Sequence, residues 1–578
     1  MNVVRGTPFW LVVLSVISLV SGAARATVYV VDQAAPDAAD ANAGTEEKPF
    51  KTIQHAAGVA RPGDTVYVMA GKYDERVKVK TSGAEGQVIT FQAMPRRSAV
   101  VGGFDVQASY IRIKGFEITA DKPAVAVQLG GSHCEVLDNY IHEMMNGVAG
   151  AGSPKTRSNR IAYNHVYHCE YGFLLMGGDW LVENNEVGRQ FMYSTPGGNA
   201  DADYSRFFGK GCVCRYNYYH GTISPLESKT AHVDVIQTFF SVAQDQLFEY
   251  NTCFDWGQGA MVENGPKGSV RNWTWRHNIY SSKLPTYRGA WGLDVIQVPD
   301  VTIENNTFAG IVWCGVGLRG KESTNGQILS NLFCDSERAV LEGEKDFTPA
   351  NPVIEYNLAF KTAPLSGEKN INGKDPLFVD AEKRGFRLKK GSPAIGAGKG
   401  GVTIGALEYP NVYYVDPRHP AASDEPAWGY PGVPLATVAK ACAVAEVGET
   451  IMLRGGVYRE TLRPASDGVT IRAMKGEKVV VSGADLIEGW QREADGNWWA
   501  PLAAEPKKLL RDGRPWSEFR YDKTAKRIVV KAGGDPRLHL FETVVRERGI
   551  DLAGRKDVKV EGVEVVHTLA EAMPGGTK

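Results

Sequence analysis

Through the middle of the chain, apolar residues recur in a fixed relation to asparagine. The pattern is apolar, two residues, Asn, one residue, apolar. The asparagines are Asn139, Asn164, Asn185, Asn217, Asn251, Asn278, Asn306, Asn331 and Asn357, separated by 21 to 34 residues. Three residues before them stand Val136, Ile161, Val182, Cys214, Phe248, Trp275, Ile303, Ile328 and Ile354. Two residues after them stand Ile141, Val166, Val187, Tyr219, Cys253, Tyr280, Phe308, Phe333 and Ala359. A period of this size marks a repeat architecture. Each unit reads as a short strand, a bend at Asn and a second short strand. The spacing and the wealth of Val, Ile, Tyr and Phe are those of strands, which excludes a helical solenoid. One unit cannot bury its own apolar face, so units must stack, with like strands pairing in parallel. Asn suits the bend because it tolerates the left-handed conformation and its amide can bond to the amides above and below.

A second repeat works at a larger scale. Val28-Tyr-Val-Val-Asp32 recurs as Val412-Tyr-Tyr-Val-Asp416, and Pro49-Phe-Lys-Thr-Ile53 as Pro434-Leu-Ala-Thr-Val438. Gly63-Asp-Thr-Val-Tyr-Val68 recurs as Gly448-Glu-Thr-Ile-Met-Leu453, and Gly71-Lys-Tyr-Asp-Glu75 as Gly456-Val-Tyr-Arg-Glu460. The opening module is therefore duplicated. Val558-Lys-Val-Glu-Gly562 matches Ile111-Arg-Ile-Lys-Gly115 at a larger offset, and an insertion bearing Trp490, Trp498 and Trp499 accounts for the difference. The expected organisation is a signal peptide over 1–26, a solenoid over 27–408, and an incomplete duplicate of the opening module over 409–578.

The runs Pro49-Phe-Lys-Thr-Ile, Pro62-Gly-Asp-Thr-Val and Gly71-x-Tyr73-x-Glu75 resemble the start of pectate-lyase-like proteins, as Asp375-Pro-Leu-Phe-Val-Asp380, Phe386-Arg-Leu388 and Ser392-Pro-Ala-Ile395 resemble their closing segment. The resemblance implies an all-β, right-handed parallel β-helix with a short capping helix near Ile53 to Ala60. It also implies an oligosaccharide groove along the first sheet, in a secreted polysaccharide lyase or glycoside hydrolase. The segment after residue 412 is similar to the leading part of β-helix glycoside hydrolases.

Composition narrows the classes. A net charge of −1 and the lack of a long basic run argue against nucleic acid as a partner. Arg5, the apolar run Trp10 to Val20 and Ala24-Arg25-Ala26 read as a cleavable signal peptide, with the mature chain starting near Thr27 and exported to the periplasm or beyond. No later segment is long and apolar enough for a membrane span. The eight cysteines lack the spacing of a zinc site or a disulfide scaffold and read as buried free thiols.

Chemistry concentrates where the first strand of each coil should lie, upstream of Asn. That stretch is apolar in early coils, as at Val125 and Val127, and then turns polar. It carries Asp201, Asp203, Arg206, His232, Asp234, Gln237, Glu263, Asp294, Gln297 and Arg319. Asp-Val-Ile-Gln occurs twice, at Asp234 and at Asp294, which suggests a recurring placement. Strand alternation sets His232 and Asp234 on one face and Val233 and Val235 on the other. Two chemistries fit. Hydrolysis needs two carboxylates across the glycosidic bond, for which Asp234 with Asp203 or Glu263 are candidates. β-Elimination needs a base, for which His232 or Lys229 would serve, and a neutraliser for the substrate carboxylate. Arg206, Arg319, or Ca²⁺ held by Asp201, Asp203 and Asp234 would supply the latter. The catalytic candidates are thus His232, Asp234, Asp203, Glu263 and Arg206. Gln237, Asp294, Gln297, Arg319 and Trp291 are candidates for substrate binding. Trp273 and Trp275 are alternative sugar platforms, though Trp275 stands in the apolar column. The same groove would also serve a non-catalytic carbohydrate-binding protein.

Overall fold

The structure, a computed structural model, describes residues 26–150, 156–191, 202–222, 233–239, 241–265, 268–284, 291–341, 351–493, 495–531 and 534–570. A first strand, Val28–Val31, pairs in parallel with Thr65–Val79, which pairs in parallel with Ile89–Val106. Helix α1 (Ile53–Val59) closes this end of the barrel, burying Ile53, Ala56 and Ala57. Thr52 caps it, its side chain accepting from the His55 N–H. Both oxygens of Glu75 accept from N–H groups of its first turn, at Ile53 and Gln54, at 3.0 and 2.8 Å.

Beyond residue 111 each coil contributes three short strands, and these form three parallel ladders. The first ladder runs Val125–Leu129, Asn146–Gly150, Tyr171–Leu175, Ser205–Phe207, Asp234–Thr238, Gln258–Glu263, Leu293–Ile296, Cys314–Arg319 and Arg338–Leu341. The second ladder precedes each asparagine and the third follows it. The enclosed core includes a column of stacked rings, Tyr280, Phe308 and Phe333, with centroids 5.1 and 5.2 Å apart. All eight cysteines are buried free thiols.

The asparagines form one continuous column. Both the backbone N–H and the side-chain amide of Asn139 donate to the Oδ1 of Asn164, at 3.0 Å each. The same double bond links every successive pair to Asn357, and then runs on to Asn370. One detail differs from expectation. The left-handed residue is not the asparagine but its predecessor, from Asp138 through Tyr163 and Asn184 to Tyr356, with φ between 52° and 60°. The bend is made one residue early, which leaves the Asn backbone free to donate along the column.

After residue 411 the opening pattern returns. Val412–Val415, Thr450–Leu453, Thr470–Ala473 and Lys559–Glu561 pair in parallel. Helix α2 (Val438–Val444) is capped by Thr437, and Glu460 accepts from Val438 and Ala439 as Glu75 does in α1. Gly63 and Gly448 share a positive φ, 91° and 85°. Between 484 and 544 lie two small antiparallel sheets of four strands each. This second unit packs on the bends of the first. Arg454 donates to Asn184 Oδ1 at 2.8 Å and lies 4.5 Å over the Tyr216 ring. Burial pushes the His419 imidazole down to about 4, so the ring is neutral; its Nε2–H donates to the Tyr216 carbonyl and its Nδ1 accepts from Ala421.

Candidate functional site

The first ladder has an outward column fixed by strand register. It runs Leu174, Arg206, Gln237, Met261, Asp294, Gly317. The flanking inward columns are apolar: Ala260 and Val262 are wholly buried, whereas Met261 and Glu263 reach the surface. Two further outward positions, Glu263 and Arg319, lie in one row with Ile296 between them.

At the lower end Asp203 is fully buried and saturated. Its Oδ1 accepts from the Asp234 N–H at 3.0 Å, and its Oδ2 from Arg206 Nε at 2.5 Å. The Arg206 guanidinium sits 4.4 Å from the Tyr171 ring centre and 5.3 Å from that of Phe239, a clamp that fixes its plane. One rung up, Gln237 Nε2 donates to Asp234 Oδ2 at 3.0 Å. At the upper end Arg319 grips Asp294 with two donors, Nε to Oδ1 at 2.6 Å and Nη2 to Oδ2. Burial raises the Asp294 pKa and Arg319 opposes the rise. The Glu263 side chain makes no hydrogen bond or ion pair among the described residues. Its pKa is raised, first by burial and then by the neighbouring Asp294 charge, with Arg319 pulling the other way.

Several expectations need correction. Asp-Val-Ile-Gln is not a recurring placement. Asp294 stands two rungs above Gln237, not above Asp234, so the two copies are three residues out of register. Gln297 is off the strand, in a left-handed turn with φ 60°, where its Oε1 accepts from Glu322 N–H at 3.0 Å. Strict alternation fails at Val235 and Ile236, both in the core, so Asp234 meets Gln237 and is itself wholly buried. Glu263 feels the charges of Asp294, which repels it, and Arg319, which attracts it; Gln258 is the residue in register with Asp234. Trp273 and Trp275 are fully buried and offer no platform. Trp291 is half-buried and donates to the Ala260 carbonyl at 3.2 Å, beside Trp313. His232, Lys229 and Asp201 lie outside the described residues.

The calcium expectation can be tested on the donors present. Both Asp203 oxygens are engaged by hydrogen-bond donors, one of them a guanidinium 2.5 Å away. A cation on the Asp203 oxygens would meet Arg206 directly, and Asp201, a third candidate ligand, lies outside the described residues. Met261 was missed in the sequence because only the register brings it to this face.

Residues 29–171 match the family described as a Pel9A-like, right-handed β-helix region. That match spans about a quarter of the chain, and over it the chain is similar to the Pel9A-like region. The chain is 22% identical over 356 residues to the uncharacterised protein YwoF of Bacillus subtilis, covering 56% of this chain and 73% of that one. It is 26% identical over 203 residues to the pectate lyase PEL9 of Emericella nidulans, covering 34% of this chain and 45% of that one. Among solved structures, pectate lyase Pel9A superposes with a TM-score of 0.41 at 16% identity, over 66% of this chain and 96% of its own. A GH136 lacto-N-biosidase from Eubacterium ramulus gives 0.38 at 12%, over 57% and 67%. The parallel β-helix expected from the opening motifs is borne out by the parallel ladders and by the match over residues 29–171. No helix among the described residues is long and apolar enough to cross a membrane.

Proposed function

We propose that this chain is an exported, carbohydrate-active β-helix enzyme that cleaves a uronate-bearing polysaccharide by β-elimination in the groove of the first ladder. One observation carries the reading. Glu263 is a half-buried carboxylate with a raised pKa, beside an arginine that is itself fixed by a buried acid. A base must take the proton alpha to the uronate carboxylate, and its efficiency grows as its pKa rises toward the working pH. A cation must neutralise that carboxylate so that the carbanion can form. Glu263 would accept the C5 proton as the C4–O bond breaks, the C4=C5 double bond forms, and the leaving oxygen takes up a proton. Arg319 and Arg206 would grip carboxylates; Asp294 and Asp203 act as positioning residues that hold them, and Asp234 holds Gln237. The likeness to a pectate lyase supports this reading, and so does the run of polar rungs, since a polymer needs several.

Hydrolysis is the second reading, because a carboxyl with a raised pKa also suits a general acid. A screen of uronate and neutral polysaccharides separates the two. Product absorbing at 235 nm is expected. New reducing ends without that absorbance would mean hydrolysis, and binding with neither would mean a non-catalytic carbohydrate-binding protein.

A further inference from the structure

The second unit grips the solenoid at three successive bends, and at each it uses the left-handed residue: Tyr163, Asn184 and Tyr216. Asp416 accepts from the Tyr163 hydroxyl at 3.2 Å, and Arg418 donates to the same oxygen at 2.5 Å. Arg454 donates to Asn184 at 2.8 Å, and His419 donates to the Tyr216 carbonyl at 3.1 Å. The His419 ring is 3% exposed.

Both ring nitrogens are in use. Nε2 must carry the proton that goes to Tyr216, and Nδ1 must be bare to accept from the Ala421 N–H at 3.1 Å. Only the neutral ring makes both bonds. A second proton, on Nδ1, would point at the Ala421 N–H, so the charged ring must leave its place and release Tyr216. The charged groups that face the ring are Asp416 and Arg454 of the second unit and Glu186 of the solenoid. Each already has a partner. Asp416 holds Arg418 at 3.1 Å, Arg454 is held by Glu477 at 3.0 Å, and Glu186 accepts from His220 at 2.9 Å with His165 beside it. A charge on His419 therefore meets no spare counter-ion there and adds to the repulsion of Arg454.

We propose that His419 is a pH latch: its neutral ring holds the second unit on the solenoid, and proton uptake loosens the two in mildly acid solution. Burial pushes the ring down to about 4 in the closed interface, against about 6.5 for a free imidazole. The depressed group stabilises the closed state in full above the free value, and that contribution is lost as pH falls toward the closed one.

Hydrogen exchange of the full chain, corrected for the intrinsic pH dependence of exchange, tests this by mass spectrometry. Spectra are taken one unit either side of the free imidazole value, at about pH 7.5 and about pH 5.5. The opening equilibrium of peptides spanning 412–422 and 214–219 should rise about tenfold from the higher pH to the lower. Peptides spanning 301–308, away from His419, should hold. His419→Gln takes up no proton, so its interface peptides should lack that rise whatever their starting protection. His165 and His220 titrate alike in both proteins and cancel in the comparison. Exchange of the His419 C2 proton in the parent reports the ring's own titration, which should lie well below that of a free imidazole. An equal rise in His419→Gln, no rise in the parent, or a ring that titrates as a free imidazole overturns the latch. If His419→Gln does not fold, the two parent measurements decide.

Discussion

Two columns of polar side chains climb this solenoid, and they differ in how fully their hydrogen bonds are met. In the asparagine column every amide donates to the next asparagine and also to a backbone carbonyl or a neighbouring sulfur, as Asn217 does to Asn251, Val182 and Cys214. Such a column is finished. It pays for the burial of its polar groups with bonds inside the fold, and it has nothing left to offer a ligand. The first-ladder column is finished only at its floor, where Asp203 and Asp294 are tied to Arg206 and Arg319. Beside these pairs, the buried oxygens of Gln237 and Gln258 and the half-buried Glu263 carboxylate, whose pKa is raised, have no hydrogen-bond partner among the described residues. Stacking a polar residue on a rung therefore says little by itself. Whether its bonding capacity is used up within the protein separates scaffold from site.

The sharpest way to break this comparison is to neutralise one residue of each column. Glu263→Gln keeps the shape and removes the base, so kcat on a cleavable polymer should fall about 10²–10⁴-fold. The denaturation midpoint should stay near that of the parent. An unchanged rate with a lower midpoint would make Glu263 a structural residue. Asn217→Ala should do the opposite. It removes the acceptor of two buried Asn185 donors, so stability should fall by about 2–5 kcal/mol in urea unfolding while turnover per folded molecule holds. Loss of turnover in a normally stable Asn217→Ala would dissolve the distinction.

The first of these columns was legible in the sequence and the second only in part. Asparagine recurs at one position in every coil, so its period survives loops of different length; only Asn370 escaped, because the coil there shrinks to a 13-residue step. The first ladder has no such anchor. Variable loops precede each of its strands, so equal words such as Asp-Val-Ile-Gln fall three positions out of register, and Met261 reaches the face unannounced. A charged column on the second ladder was readable and was missed. It lies two residues before five successive asparagines, at Glu183, Arg215, Glu249, Arg276 and Glu304, with ion pairs such as Arg215 to Glu183 at 2.9 Å and Arg276 to Glu249 at 2.7 Å.

The pH dependence sharpens the comparison at smaller amplitude. Burial and Asp294 hold the Glu263 pKa above its unfolded value, so a base here works only once pH exceeds that raised value. The acid limb of kcat/KM should lie above the usual glutamate pKa of about 4.3. Asp294→Asn removes one cause of the rise and should move the limb to lower pH. The stability sign runs the same way: a raised carboxyl favours the fold below its unfolded pKa, and that contribution is lost as pH rises through the folded pKa. Glu263→Gln should therefore gain stability relative to the parent across that window, as read by Tm against pH. A Tm difference that shrinks with rising pH would contradict the assigned shift.

The smallest effect belongs to an earlier part of the second ladder, at Arg112 and Glu135, where charge is satisfied and also wet. Arg112 pairs with Glu135 at 2.5 Å, but both side chains remain partly open to solvent. An ion pair of this kind gains little over its hydrated partners and loses side-chain entropy, so Arg112→Ala should cost only about 0.2–1 kcal/mol. The loss should shrink further in high salt, because exposed charges are screened over about 10 Å at ordinary ionic strength. Glu135 is not stranded by the change, since Arg160 stands 3.9 Å away on the next rung. Turnover should not move, because these residues face away from the first ladder. Urea titrations of the parent and Arg112→Ala at low and high salt check both points. A loss of several kcal/mol that salt leaves untouched would place this column with the asparagines, as a structural element that the exposed geometry of its pairs does not suggest.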